Sequence, residues 1–288
     1  MRMLSLVKRI LTGGLVVALT IGAIYALEGI CVPILFWVVM NMGLYEWQGL
    51  CNKMGYRIPC FWLFLLGNSL YLSIAGFYFE GLASALDVVW PFGFAWLGVF
   101  SMAAMFVFSV FMPEKGRWTN LWLRMGMIVA GVMYIALPLA LLTWGASPAR
   151  GGAPDMLMGF FVLIWSSDVF AYLFGSLLGK HKLCERLSPS KTWEGAAGGF
   201  MMALVAGLLW GIFVLEGIIP LGKWMGISVF VIFCGMLGDL VESKLKREAG
   251  VKDSGSILPG HGGILDRFDS VLIAAPVMVA FLHLVSLF

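Results

Sequence analysis

The sequence predicts an all-α, polytopic integral membrane protein of about nine transmembrane helices, with two polar loops on one side of the bilayer. Three observations carry that prediction. Of 288 residues, 61% are hydrophobic and only 12% charged, with a mean hydropathy of +0.95, whereas soluble domains run nearer half apolar and a quarter charged. The apolar residues gather into runs that approach the roughly 20 residues a helix needs to cross hydrocarbon. Most cations then fall in every second gap between those runs, so that one face of the membrane collects them. The net charge of +3 is too small to indicate a nucleic-acid partner. Cys31, Cys51, Cys60, Cys184 and Cys234 show no paired spacing, so they read as small packing residues rather than a disulfide framework or a zinc site.

Backbone amides in hydrocarbon find no water, so each run must pair its own amides as a helix. The first run, 10–27, follows a basic start and imitates a secretory signal; because the chain keeps returning to the membrane, it is read as an uncleaved anchor. The second, 30–45, is divided from it only by Glu28, Gly29 and Pro33, and the two can also be read as one broken hairpin. Runs 60–79, 86–112 and 120–144 complete an N-terminal region, 1–150, that is poor in ionisable side chains. Runs 154–178, 195–219, 225–244 and 268–288 make up the second region, 151–288, which holds the intramembrane acids Asp168 and Asp239.

With nine spans and the N-terminus inside, all 19 lysines and arginines except Arg150 and Lys223 fall on the cytoplasmic side. One missed helix would invert everything after it, so this asymmetry supports the span count. A cell-membrane location with cytoplasmic loops and an outward C-terminus is expected. Trp47, Trp118, Trp144, Trp193 and Trp224 stand at span ends and read as an interfacial belt. His283, inside the last run, reads as a core residue.

The polar chemistry gathers in two stretches. In the later one, Asp239, Glu242, Ser243 and Lys246 share one helical face, and a carboxylate at the membrane boundary is costly unless it meets a cation, a metal or water. Gly250, Gly255, Pro259, Gly260, Gly262 and Gly263 then crowd into fourteen residues, the kind of backbone that can approach phosphates closely. Lys246, Arg247, Lys252, His261 and Arg267 flank it, so the stretch reads as a polyanion site. Asp266 and Asp269 follow at i, i+3 in the first turn of the last run. Helix capping needs only one aspartate; two suit oxygen ligation of Mg²⁺ bridging to phosphates, with Asp239 as a third ligand. In the earlier stretch Asp168, Tyr172 and Gly175 share a face, and Ser188, Lys191 and Thr192 precede a new helix, where hydroxyls, amides and a lysine suit phosphate oxygens.

These residues resemble a known family. Ser243-x-Leu245-Lys246-Arg247, then Lys252-Asp253-x-Gly255, then Leu258-Pro259-x-His261-Gly262-Gly263-Ile264-x-Asp266-Arg267-Phe268-Asp269 is similar to the signature of phosphatidate cytidylyltransferases (CDP-diacylglycerol synthases). Ser188-Pro189-x-Lys191-Thr192-Trp193-Glu194-Gly195 and Asp168-x-x-Ala171-Tyr172 resemble the same family, with Ser190 where many members have a second lysine. The resemblance implies CTP and phosphatidic acid as substrates in a lipid bilayer, Mg²⁺ with room for a second, monovalent cation, no nucleic acid, and a homodimer as an open option. It implies catalytic roles for Asp239, Lys246, Arg247, Lys252, Asp253, His261, Asp266, Arg267 and Asp269. Substrate contacts fall to Asp168, Ser188, Lys191, Thr192, Ser243, Gly262 and Gly263. The rival readings are a CTP- or ATP-dependent polyprenol or lipid kinase, which needs the same metal and cations, and an ion-coupled transporter using Asp168 and Asp239.

Overall fold

Residues 2–26, 31–79, 89–111, 118–147, 154–257 and 262–286 are described by a computed structural model of the protein. Among them, helix occupies most of each of the nine apolar runs. Four helical stretches are long and apolar enough to cross a membrane: Trp122–Gly145, Pro154–Leu178, Trp193–Phe213 and Leu221–Glu248. Shorter apolar helices cover Gly13–Tyr25, Cys60–Ala75 and Gly93–Met105. This is a membrane protein. Residues 27–30, which decide how the first two runs connect, lie outside the described residues.

The chain forms two compact units. The first takes in residues 1–150 and 248–267, the second 151–247 and 268–288. In the first, helices α1 (Arg2–Tyr25), α2 (Cys31–Lys53), α3 (Cys60–Ala75), α4 (Val89–Phe111), α5 (Trp118–Gly131) and α6 (Leu137–Gly145) follow one another. Helix α3 packs against α2, α4 and α6. Its Tyr71 is fully buried; the hydroxyl donates to the Pro33 carbonyl (2.7 Å) and shares a hydrogen bond with Thr143 (2.9 Å). Asn68 Nδ2 donates to Asn41 Oδ1 (2.9 Å) and Asn41 Nδ2 returns a bond to Asn68 Oδ1 (3.3 Å), an amide clasp of the kind that joins helices where water is scarce. A π-turn at Val132–Ala136 links α5 to α6. Beside it Trp47 from α2 lies against Gly131, the one side chain small enough to admit the ring, and its indole N–H donates to Met127 O (2.9 Å).

The second unit holds α7 (Pro154–Leu178), a hairpin of β1 (Lys182–Cys184) and β2 (Ser188–Thr192), α8 (Trp193–Phe213), α9 (Leu221–Glu248) and the body of α10 (Leu265–Ser286). The antiparallel hairpin pairs Lys182 with Thr192 and Cys184 with Ser188, a small departure from an all-helical expectation. Helices α7 and α8 pack closely, and the cause is a stripe of small residues. Gly195, Gly199, Ala203, Gly207 and Gly211 recur every fourth position on the buried face of α8. A Cβ at Gly199 would stand 2.6 Å from the Ser167 carbonyl and 2.8 Å from Ala171 Cβ, so the two backbones meet because nothing intervenes.

Two expectations are corrected. Trp47 and Trp224 do not belong to an interfacial belt: both are buried, and Trp224 is enclosed with its indole N–H donating to the Gly207 carbonyl (2.9 Å). Position at a span end does not distinguish a ring facing headgroups from one filling a glycine notch. Trp193 is exposed, as a belt residue would be, and the Trp118 side chain lies outside the described ones. His283 is exposed rather than a core residue; an apolar run has two faces, and its sequence alone does not say which one packs.

Candidate active site

In the second unit a cavity of about 430 Å³ opens between α7, the hairpin and α9. Asp168, Tyr172 and Gly175, the residues expected on one face of α7, line one wall; Lys191 and Thr192 come from β2, and Asp239 from α9. Local chemistry explains the placement of the β2 residues. Thr192 is the N-cap of α8, extended in backbone, with Oγ1 accepting from Gly195 N (3.1 Å). That cap sets the strand-to-helix turn and places Lys191 at the cavity. Gly175 makes room for the cap, since a Cβ there would stand 3.2 Å from Thr192 Oγ1. On the outer side of the turn Glu194 accepts from the amides of Lys180 and His181 (both 3.2 Å) and from His181 Nδ1 (2.6 Å), tying the end of α7 to the first turn of α8.

Inside the cavity Lys191 Nζ forms an ion pair with Asp239 Oδ2, with both side chains partly open to solvent (23% and 33% exposed). The preceding Gly238 has its own purpose. A Cβ there would collide with the Asp269 carbonyl, so glycine lets α10 come against α9. Asp269 thereby stands beside Asp239, Glu242 and Lys246. Lys246 Nζ donates to the buried Glu242 (3.0 Å), Ser243 is buried on the same face, and Arg247 Nε donates to the Leu187 carbonyl (3.2 Å) in the hairpin turn. The helical face read from the spacing thus holds acids and lysines together. Asp168 and Ser188 are accessible, Asp168 on the cavity wall and Ser188 at the start of β2.

The glycine-rich stretch belongs to the first unit. Gly262 has φ +83°, which L side chains rarely adopt, and Gly263 sits where a Cβ would collide with Ser254 Oγ and Glu46. Asp266 Oδ2 accepts from Gly263 N (2.8 Å), Ser254 N (2.9 Å) and Ser254 Oγ (3.0 Å). The buried Glu46 of α2 accepts from Ile264 N (2.8 Å), Leu265 N (3.0 Å) and Ser254 Oγ (2.9 Å). Lys252, Asp253 and Arg267 are exposed along this stretch. His261, with residues 258–260, lies outside the described residues.

Sequence reasoning did not single out Glu46 or Ser254. The available signal was an acid just beyond the run 30–45, since an ionisable residue at a membrane boundary needs a partner. For a metal, the donor chemistry of the second unit fits: Asp239 and Asp269 offer hard carboxylate oxygens side by side, and Mg²⁺ is commonly held by one or two carboxylates with water and substrate phosphates completing its shell. Among the described residues no three carboxylate, histidine or cysteine side chains converge to hold an ion by themselves.

Comparison with known proteins agrees with the signature. The chain matches the model of the Cytidylyltransferase family over residues 7–285. It is 33% identical over 280 residues to the phosphatidate cytidylyltransferase of Pseudomonas aeruginosa, covering 96% of each chain. With the phosphatidate cytidylyltransferase of Bacillus subtilis it shares 52% identity over 125 residues, 43% of this chain and 46% of the relative. With that of Staphylococcus saprophyticus it shares 51% over 118 residues, 41% and 45% respectively. The match runs almost from end to end of the chain, and this protein belongs to the cytidylyltransferase family.

Proposed function

We propose that the chain catalyses CTP + phosphatidate → CDP-diacylglycerol + diphosphate, at the cytoplasmic face of a cell membrane that it crosses nine times. The observation that carries the reaction is the cavity in which Lys191 meets Asp239, in a chain related over 96% of its length to a phosphatidate cytidylyltransferase. The orientation rests on the cations: with nine spans and the N-terminus inside, all but Arg150 and Lys223 would fall on one side.

A phosphatidate oxygen attacks the α-phosphorus of CTP, a new P–O bond forms, and the bond to the β-phosphate oxygen breaks, that oxygen leaving with the electron pair as diphosphate. The lipid phosphate is already ionised near neutral pH, so no strong base is needed, and His261 is assigned a positioning role. Two polyanions must meet, and repulsion is the first obstacle. Lys191 and Ser188 are assigned to the lipid phosphate or the nucleotide triphosphate, with Asp168 and Thr192 shaping the pocket. Lys246, Arg247, Lys252 and Arg267 are assigned to the charge that develops on the leaving group. Mg²⁺, when bound, would neutralise and orient the phosphates. Asp239 and Asp269 are its proposed ligands. Asp266, i−3 to Asp269 along α10, is the third candidate, with Oδ2 already accepting from its loop.

Membranes containing the protein, incubated with phosphatidate, Mg²⁺ and α-labelled CTP, should place the label in the lipid fraction, and a chelator should abolish the transfer. Label reaching lipid from γ-labelled but not α-labelled CTP would identify a lipid kinase instead. No transfer from either would exclude both.

A further inference from the structure

Glu46 is a buried carboxylate that the reaction above does not use. It lies on α2, while its partners belong to a stretch more than 200 residues further along the chain: Ser254 Oγ, Ile264 N and Leu265 N. The last two amides open α10, where intrahelical acceptors are missing and the helix dipole favours an anion. Oε1 accepts from Ile264, and Oε2 accepts from Leu265 and Ser254. The Ser254 hydroxyl reaches Glu46 and Asp266 alike, so the two carboxylates share it. Gly255 and Gly263 lie so close to Glu46 that a Cβ on either would collide with it.

We infer that Glu46 is a positioning residue for the nucleotide: it clasps the glycine-rich stretch and the first turn of α10, holding Asp266, Arg267 and the backbone of Gly262 and Gly263 in the conformation that receives the phosphates of CTP. The inference rests on the proposed reaction for the ligand's identity, and on the hydrogen bonds alone for the clasp. Glutamate is needed rather than glutamine because all three groups facing it are donors. An amide would turn one accepting oxygen into an NH₂ opposed to a backbone N–H, leaving a buried donor without its partner.

The test uses the full-length protein in lipid nanodiscs and the variant E46Q. Amide exchange in residues 262–266 should quicken by roughly tenfold or more in E46Q, because opening of this segment no longer breaks all three bonds. The KM for CTP should rise by about tenfold while that for phosphatidate stays within about twofold. Ser254→Ala, which removes one donor and keeps the carboxylate, should shift exchange and the CTP KM the same way by a smaller factor; it carries the test if E46Q does not fold. Unchanged exchange in the variant overturns the clasp, whatever reaction the protein performs. Faster exchange with both KM values and kcat unchanged, or with both KM values altered alike, overturns the nucleotide-positioning role and leaves Glu46 purely structural. A wild-type chain that moves no label from CTP to lipid refutes the reaction, and with it the identity of the ligand, while the exchange comparison still decides the clasp.

Discussion

Replacing Lys191 by alanine separates structural from functional use of the Lys191–Asp239 pair. Both side chains are partly solvent-exposed, at 23% and 33%, so their attraction is screened and the pair contributes only about 0.2–1 kcal/mol to folding. Thermal unfolding in detergent should therefore shift by no more than a few degrees. If Lys191 stabilises phosphate charge, turnover should fall by about one to three orders of magnitude, the scale of a lost charge-stabilising donor. At 1.36 kcal/mol per tenfold, that corresponds to about 1.4–4 kcal/mol of transition-state free energy, clearly more than the folding loss. The two effects are thus distinguishable in one preparation, by melting curves and by label transfer from α-labelled CTP. Lys191→Arg adds a geometric control, because arginine keeps the charge and replaces a point by a fork. Activity kept in arginine and lost in alanine marks a charge contact; loss in both marks a tight one. An alanine variant with wild-type turnover and normal expression would remove Lys191 from the chemistry and leave its pairing with Asp239 a structural detail.

Two further outcomes follow from packing and topology. Gly199→Leu should destabilise the α7–α8 pair by about 1–3 kcal/mol or more, since even a Cβ would sit 2.6 Å from the Ser167 carbonyl; Gly222→Ala, with open space around it, should unfold like wild type. Equal melting curves for the two would contradict the close backbone approach. A reporter active only in the cytoplasm, fused after Phe288, should give no signal, and a strong one would mean that the nine-span count is wrong by an odd number.

The helices were legible in the sequence because the length of an apolar run is a local property, and so was the face carrying Asp239, Glu242, Ser243 and Lys246, which needs only helical period. The pairing of Lys191 with Asp239 was half legible: both residues were singled out for phosphate or metal chemistry, but a contact between β2 and α9 is tertiary. The α8 stripe stood in the sequence as small residues every fourth position, yet alanines and glycines are frequent throughout this chain and give no contrast. Glu46 was not legible. Its meaning depends on Ser254, Ile264 and Leu265, and no spacing rule spans that separation. Burial of Trp47 and Trp224 was hidden for a related reason: each occupies a notch made by a glycine on another helix, Gly131 for one and Gly211 for the other.

The arrangement around Asp239 also bears on the rival readings. A transporter that binds an ion through paired acids should place them within discontinuous helices near the membrane midplane. Here Asp239 lies within the last ten residues of α9, and Lys244, Lys246 and Arg247 follow it before the helix ends. Asp269 lies in the second turn of α10, near the opposite end of that helix from Ser286. Carboxylates near helix ends with cations close by in the chain, Lys244, Lys246 and Arg247 after Asp239 and Arg267 before Asp269, suit a ligand that arrives from water carrying phosphate charge. The crowding of Asp239, Glu242 and Asp269 points the same way. Like charges held together repel unless cations stand among them, and Lys191 and Lys246 supply two. A metal ion delivered with a nucleoside triphosphate would supply more positive charge at Asp239 while offering Lys191 a phosphate in exchange for its carboxylate. On this reasoning substituting Asp239 and Lys191 together should cost less than the product of the single losses, because each single change leaves the other charge without its partner. Multiplicative losses would show that the two side chains act independently.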